Sequence, residues 1–204
     1  MKKAVIFLNG NPYIGAVEKN HGDIFICADG AYNWVRGRFS VDVILGDMDS
    51  VDARNIEDNG IEKILFPAEK DYTDGHLAVE FAVKRGYKRI EIYGAGGGRL
   101  DHQVANLYLL KLCKDLGADG IIVGGGERVY FANGDFKLNV NKNSIVSVVP
   151  FSDAAHITNT SGLKYPIENK IINKHLIGIS NIAVDNEIHI GLTEGEILVF
   201  VCDS

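Results

Sequence analysis

Along the first half of the chain one arrangement recurs: a short apolar run, a small residue or glycine, then a cluster of polar groups. Ala28-Asp29-Gly30-Ala31 closes the run 23–28, Gly46-Asp47-Met48-Asp49-Ser50 follows 41–45, and Lys70-Asp71-Tyr72-Thr73-Asp74 follows 63–66. Gly94-Ala95-Gly96-Gly97-Gly98-Arg99-Leu100-Asp101-His102 follows 89–93. With 4–8 and 120–123, these runs are β-branched and nearly continuous in hydrophobicity, as parallel strands buried on both faces should be. Helices are expected at 73–85, with Leu77, Ala78, Phe81 and Ala82 inward, and at 99–116, with Val104, Leu107, Tyr108, Leu110 and Leu112 inward. Gly86 and Gly117 mark their ends. Alternating strands and helices predict an α/β fold, a Rossmann-like open sheet covered by helices. In such a sheet all four polar clusters fall on the carboxyl edge, where ligands bind.

The pattern changes near Glu127. From there on, short runs at 128–132, 135–140, 144–150, 156–160, 170–172, 182–184, 187–192 and 196–202 alternate with turn residues such as Asn133-Gly134 and Asp185-Asn186. That density predicts a smaller all-β sandwich. The expected division is an α/β domain over 1–127 and a β-sandwich over 128–204, which the 204 residues accommodate.

Charge narrows the partners. A net charge of −6 argues against nucleic-acid or anionic-membrane binding, which needs a basic face. It leaves room for a nucleotide, because a metal ion and a few local cations can outweigh the global charge. Cys27, Cys113 and Cys202 match neither a disulfide framework nor a zinc motif, so a reducing cytoplasm is expected. The apolar start at 4–8 is cut off by Asn9-Gly10-Asn11-Pro12, so it reads as a first strand and not as a signal peptide. No apolar stretch is long enough to span a membrane.

The clusters carry chemistry of a recognisable kind. Asp47 and Asp49 put two carboxylates at i and i+2 at a strand end, and each raises the other's pKa unless a cation neutralises them. Mg²⁺ bound by one or two carboxylates and substrate phosphates is the common solution. The glycine run is costly unless backbone must approach a ligand closely, and backbone N–H groups entering a helix suit an anion. Arg99 adds a cation with a fork suited to phosphate. Each cluster also has a plain reading. Asp29-Gly30 fits a turn, Ser50 can cap a helix over 51–59, and Thr73 and Asp74 suit a helix N-cap and first turn. Asp101 and His102 can serve the dipole of their own helix. Trp34 fits core packing, and Gly124-Gly125-Gly126 fits a hinge.

The ordered set Ala28-Asp29-Gly30-Ala31, Gly46-Asp47-Met48-Asp49-Ser50, Asp71-Tyr72-Thr73-Asp74 and Gly94 to His102, with Ser180-Asn181 late in the chain, resembles the thiamine pyrophosphokinase family. The resemblance spans nearly the whole chain. It implies transfer of a pyrophosphoryl group from ATP to the hydroxyl of thiamine, giving thiamine diphosphate and AMP. It implies a homodimer whose site lies between the α/β domain of one subunit and the β domain of the other. By position, Asp47, Asp49 and Asp74 would hold Mg²⁺. Arg99, Asp101 and His102, with Gly96, Gly97 and Gly98, would contact the nucleotide, and Asp29 would lie near the substrate junction. Ser180 and Asn181 would face thiamine. Either Asp71 or Asp101 could accept the hydroxyl proton. Two departures stand out: Met48 replaces a bulky aromatic, and Gly162-Leu163-Lys164-Tyr165-Pro166 offers Tyr165 in place of Trp.

Two other readings fit part of the chain. Asp47-Met48-Asp49-Ser50-Val51 matches a short Asp-x-Asp-x-Val pattern, which with Lys70 suggests a phosphatase using an Asp nucleophile. A non-catalytic nucleotide or thiamine sensor would keep the fold and lose the chemistry.

Overall fold

The structure is a computed structural model that describes residues 2–47, 60–67, 69 and 71–203. The chain forms two compact units, Met1–Gly125 and Gly126–Ser204. The first contains β1 (Ala4–Phe7), β2 (Ile24–Ala28), β3 (Val43–Gly46), β4 (Glu62–Leu65), β5 (Arg89–Tyr93) and β6 (Asp119–Val123). They form a parallel sheet in the order β6-β5-β1-β2-β3-β4. The chain therefore builds outward from β1 to β4 on one side, then returns to lay β5 and β6 on the other. The order reverses between β1 and β5.

Burial follows the pleat. Val5, Phe7, Phe25, Cys27, Ile44 and Tyr93 point to one face and share a core there. Their buried neighbours Ile6, Ile26, Ile90 and Ile92 alternate to the other face. The helices are α1 (Tyr32–Val35), α2 (Asp74–Lys84) and α3 (Leu100–Asp115). α2 packs on β1, β2 and β3, and α3 packs on β6 and on α2. The expected covering of helices is only partly present. The face that carries Phe7 is closed by an aromatic layer, in which Phe25, Trp34, Phe39 and Tyr93 surround the Phe7 ring at centroid distances of 5.5, 5.5, 5.3 and 5.9 Å. Large rings from α1 and from a loop fill the volume that a long helix would otherwise occupy. The edge strand β4 departs from the buried pattern, with Leu65 71% exposed.

The inward stripe of α3 also differs from expectation. Leu109, Leu110 and Cys113 are buried, whereas Val104 and Tyr108 are 48% and 57% exposed. Apolar residues lie nearly all round this helix, so periodicity alone does not fix which of them are buried. In α2, Gly75, Ala78, Val79 and Ala82 are buried, and Leu77 and Phe81 are only half-buried.

The second unit is all-β among its described residues. Its strands are β7 (Glu127–Ala132), β8 (Phe136–Asn139), β9 (Ile145–Pro150), β10 (Ala154–Ser161), β11 (Lys170–Asn173), β12 (Gly178–Ile182), β13 (Glu187–Glu194) and β14 (Ile197–Cys202). β12, β9, β14 and β7 run antiparallel in one layer, and β11, β10, β13 and β8 run antiparallel in the other. Val146, Val148, Val199 and Val201 of the first layer and Ile157, Ile172, Ile188 and Ile190 of the second share one core. The run expected at 182–184 instead forms the end of β12, and Ala183 makes an isolated bridge to Leu163. At the C-terminal end, Asp203 accepts hydrogen bonds from Arg128, Asn141 and the buried Ser144 hydroxyl.

Candidate functional site

In an open parallel sheet the strands on either side of a reversal send their chains to opposite faces, which leaves a crevice at their carboxyl ends. Here that crevice is a cleft of about 530 Å³. Its lining comes from every loop that leaves the middle of the sheet. Leu8, Asn9 and Gly10 follow β1, Ala28 ends β2 and Asp29 follows it, and Asp47 follows β3. Thr73, Asp74 and Gly75 open α2, and Gly97, Gly98 and Arg99 lead from β5 into α3, which adds His102 and Asn106. Of the residues singled out from the sequence, Asp29, Asp47, Asp74, Gly97, Gly98, Arg99 and His102 line this one cleft. Gly96, Asp71 and Asp101 are exposed beside it in sequence and are not among its lining residues. Asp49, with Met48, Ser50, the segment 51–59 and Lys70, lies outside the described residues.

Each part of the wall has a local cause. β2 ends in a 3-10 turn over Asp29–Ala31, and Asp29 takes φ 41, a left-handed conformation that Asp tolerates better than most residues. It is 8% exposed. Gly46 lies against it: a Cβ there would sit 2.8 Å from Asp29 Cβ, at φ 149. The glycine before Asp47 thus lets β3 approach the Asp29 turn closely. α2 begins at the cleft with Thr73 as its N-cap, whose hydroxyl accepts from His76 N–H at 3.2 Å.

The glycine loop is tied to the exit of β1. The parallel ladder runs past the strand ends, with Leu8 N–H donating to Tyr93 O at 2.8 Å, Gly10 N–H to Gly94 O at 3.0 Å and Asn11 N–H to Gly96 O at 2.7 Å. Trp34 Nε1 donates to Leu8 O at 3.1 Å from beneath. The plain reading of Trp34 as core packing is thus extended: its ring also supports the loop. Gly94, Gly97 and Gly98 all have positive φ, at 70, 81 and 68. Only glycine adopts this run of left-handed conformations without strain, and the loop it forms leads its backbone N–H groups into the start of α3, where an anion is favoured.

Arg99 and Asp101 form a pair on the surface beside the cleft. Arg99 Nη2 reaches Asp101 Oδ2 at 2.5 Å and Nε reaches Oδ1 at 3.1 Å, while His102 N–H donates to Oδ1 at 3.0 Å. The hydrogen bond from Arg99 and the one from the His102 N–H hold the Asp101 carboxyl below its ordinary pKa. The same pair raises the Arg99 guanidinium. A carboxylate held in this way is a poor proton acceptor.

Asp29, Asp47 and Asp74 bring carboxylates to the cleft, which suits a hard cation such as Mg²⁺. Among the described residues no three His, Cys, Asp or Glu side chains close into a metal cluster. A Mg²⁺ ion held by one or two carboxylates plus substrate phosphates needs no such cluster, so Asp47 and Asp74 fit it.

In the second unit Ser180 and Asn181 lie in β12, at an irregularity in its pairing with β9. Ser180 has φ 60, is exposed, and its N–H donates to Ser147 Oγ at 3.0 Å. Asn181 is buried and faces inward. Its Oδ1 accepts from Tyr165 N–H at 3.0 Å and its Nδ2 donates to Tyr165 O at 2.6 Å. The amide holds the Tyr165 segment, and the exposed face is left to Ser180 and to the Tyr165 ring, which is 58% exposed.

Among the cleft residues not selected from the sequence are Asn9, Gly10 and Asn106. Asn9-Gly10 read only as the end of an apolar run, and Asn106 as one polar residue within a helix. The pairing of β1 with β5, which carries Asn9 and Gly10 to the glycine loop, joins segments more than eighty residues apart, and Asn106 gains its role from its side-chain bond to Ala95 O.

Comparison with known proteins agrees with this geometry. The family model for "Thiamin pyrophosphokinase, catalytic domain" matches residues 17–120, and the model for its vitamin B1 binding domain matches 135–197. Thiamine pyrophosphokinase from Bacillus subtilis (strain 168) is 32% identical over 148 residues, covering 70% of this chain and 67% of the relative. Thiamine pyrophosphokinase 1 from Oryza sativa subsp. japonica is 24% identical, covering 92% of this chain and 82% of the relative. In fold, the crystal structure of the Bacillus subtilis enzyme superimposes with a TM-score of 0.87 at 22% identity, covering 99% of both chains. The yeast enzyme superimposes at 0.79 and 15%, covering 98% of this chain and 86% of the other. An α/β unit whose carboxylates and glycine loop meet at a sheet reversal, a separate antiparallel β unit, and two family models in the same order lead to one conclusion: the chain belongs to the thiamine pyrophosphokinase family.

Proposed function

We propose that this chain is a thiamine pyrophosphokinase, which transfers the pyrophosphoryl group of ATP to the hydroxyl oxygen of thiamine and releases AMP. The observation that carries the reading is the convergence of Asp29, Asp47, Asp74, Gly97, Gly98 and Arg99 on one cleft at the reversal of a parallel sheet. The hydroxyl oxygen attacks the β-phosphorus, a P–O bond forms, and the bond from that phosphorus to the oxygen shared with the α-phosphate breaks. The electron pair leaves on AMP and the hydroxyl proton passes to a base. Such transfers depend on positioning and charge neutralisation more than on covalent help.

The glycine loop would bind phosphate oxygens through backbone N–H groups, with Gly96 at its crown and His102 and Asp29 bordering the nucleotide. Arg99, released from Asp101, would take up charge that develops on the phosphates. Asp47 and Asp74, together with Asp49, would hold Mg²⁺, which when bound neutralises phosphate charge. Of the two candidate bases, Asp71 is favoured, because Asp101 is already committed to Arg99 and is weakened as a base.

The thiamine side of the reading rests on Ser180 and the Tyr165 ring, with Asn181 behind them. We further propose a homodimer in which this surface of one copy serves the cleft of another. Exposed apolar side chains at Leu100, Val104 and Tyr108 on α3, and at Ile177 and Ile179 beside Ser180, support that arrangement. The three free thiols support a cytoplasmic setting.

The phosphatase and sensor readings gain no support from the family models or the relatives. Incubation with ATP, Mg²⁺ and thiamine tests the proposal. AMP should form only when thiamine is present, in a one-to-one ratio with thiamine diphosphate. Phosphate release independent of thiamine would favour the phosphatase, and binding of both ligands with no AMP would favour the sensor.

A further inference from the structure

The glycine loop has an internal fastening that the activity alone does not call for. Three successive carbonyls are each held by a different donor: Gly94 O by Gly10 N–H at 3.0 Å, Ala95 O by the Asn106 side-chain amide at 2.8 Å, and Gly96 O by Asn11 N–H at 2.7 Å. Gly98 O receives a longer bond from Gln103 Nε2 at 3.4 Å. Two of the three close bonds come from backbone and survive any substitution that keeps the chain trace. The third depends on one side chain. Asn106 is the seventh position of the sixteen-residue α3, between one and two turns in from its start, and is partly buried where it lines the cleft.

Peptide planarity gives this fastening a consequence. A peptide whose C=O points one way points its N–H the other way. Holding the carbonyls of Gly94, Ala95 and Gly96 therefore turns the N–H groups of Ala95, Gly96 and Gly97 away from the groups that hold them. If the Ala95–Gly96 peptide turned over, its carbonyl would present negative charge where an anion should sit. Gly96, on its C-terminal side, has no Cβ to oppose that rotation. Asn106 opposes it.

We infer that Asn106 is a positioning residue, which locks the Ala95–Gly96 peptide in the orientation that makes the glycine loop receptive to the phosphates of a nucleotide. The inference rests on the reading that this loop binds the pyrophosphoryl donor. It assigns Asn106 no contact with the reacting atoms. The lock is paid for by Asn106 itself, whose amide is committed to the protein before any ligand arrives, and it acts on the nucleotide alone.

The test uses the full-length protein with Asn106→Ala, Asn106→Asp and Asn106→Gln. Asp keeps the size and removes the donor, setting a carboxylate against the Ala95 carbonyl, whereas Gln keeps the amide. Affinity for MgATP is measured by calorimetry without thiamine. KM for each substrate, kcat and the melting temperature are measured separately. Losing one hydrogen bond of this kind is worth about tenfold. MgATP affinity should fall about tenfold in Asn106→Ala and further in Asn106→Asp, and part of it should return in Asn106→Gln. KM for thiamine should stay within twofold of wild type. Unchanged MgATP affinity in both Asn106→Ala and Asn106→Asp overturns the inference. So does a loss that falls equally on thiamine and tracks the melting temperature, since that marks general damage. The activity reading fails separately: wild type that binds MgATP but forms no thiamine-dependent AMP refutes the transferase and leaves the calorimetry to decide on Asn106. Wild type that does not bind MgATP refutes both.

Discussion

Asp47 and Asp101 show how two carboxylates close in sequence to the same cleft come to differ in use. Asp47 follows a buried strand and lines the cleft, without a residue between it and the Gly46 turn. Asp47→Asn keeps the shape and removes the charge, so turnover should fall at least 100-fold, about 2.7 kcal/mol of transition-state stabilisation. The melting temperature should stay within a few degrees of wild type. A steady-state AMP assay beside a thermal melt checks this, and near-normal turnover would remove Asp47 from the reaction. Asp101 is exposed and bound into the fork of Arg99, which lowers its pKa. A depressed carboxyl favours the folded state above its unfolded pKa and loses that contribution as pH falls through the folded value. NMR titration of the Asp101 carboxyl should therefore give a midpoint below 3.8 in wild type, returning toward 3.8 in Arg99→Gln. An unshifted wild-type midpoint would mean that the pair does not persist in solution, and Asp101 would again be available as a base.

At the scale of elements, the cleft depends on how closely β1 and β5 continue past their own ends. Gly10 is a point of close backbone approach. A Cβ there would meet the Gly94 and Gly96 carbonyl oxygens, both backbone atoms with nowhere to retreat. Gly10→Ala should pry the β1 exit from the glycine loop at a cost of about 1–3 kcal/mol. MgATP affinity should drop more than the melting temperature suggests, because the loop is the part displaced. Calorimetry and a thermal melt read the two effects; wild-type values in both would show that the ladder does not extend to Gly10. α3 teaches the complementary point. Its N-terminal turns carry Leu100 and Val104 outward, and only from Leu109 on does it bury apolar side chains. The helix is thus anchored at its C-terminal half and presents its start to the cleft.

For the molecule as a whole, what could be read from the sequence divides by the range of the interaction. Strands, the two long helices and the change to β structure near Glu127 follow from local periodicity, and they appear within a few residues of expectation. Asp29, Asp47, Asp74 and the glycine loop stood out because each breaks an apolar run at its end. Gly10 did not stand out, because its partner Gly94 lies far along the chain, and Asn106 did not, because its bond to Ala95, eleven residues away, depends on how α3 leaves the glycine loop. Asn181 was picked out, with Ser180, only through the family resemblance, and its direction was not legible: only the fold shows that its amide holds Tyr165. The aromatic layer around Phe7 was equally hidden, since its rings come from segments that touch only once the sheet has formed.

The central place of β1 bears on the order in which this protein can be made. β1 is synthesised first, yet one of its two neighbours, β5, lies at Arg89–Tyr93, and Asn106 comes later still. While the ribosome is still working toward those residues, β1 has one unpaired edge and the glycine loop does not exist. On the function proposed for that loop, an emerging chain acquires no help from ATP until the α/β unit is almost complete. Early in its life it must be guarded by whatever shields bare strand edges in the cell, and nucleotide can only reward the finished product.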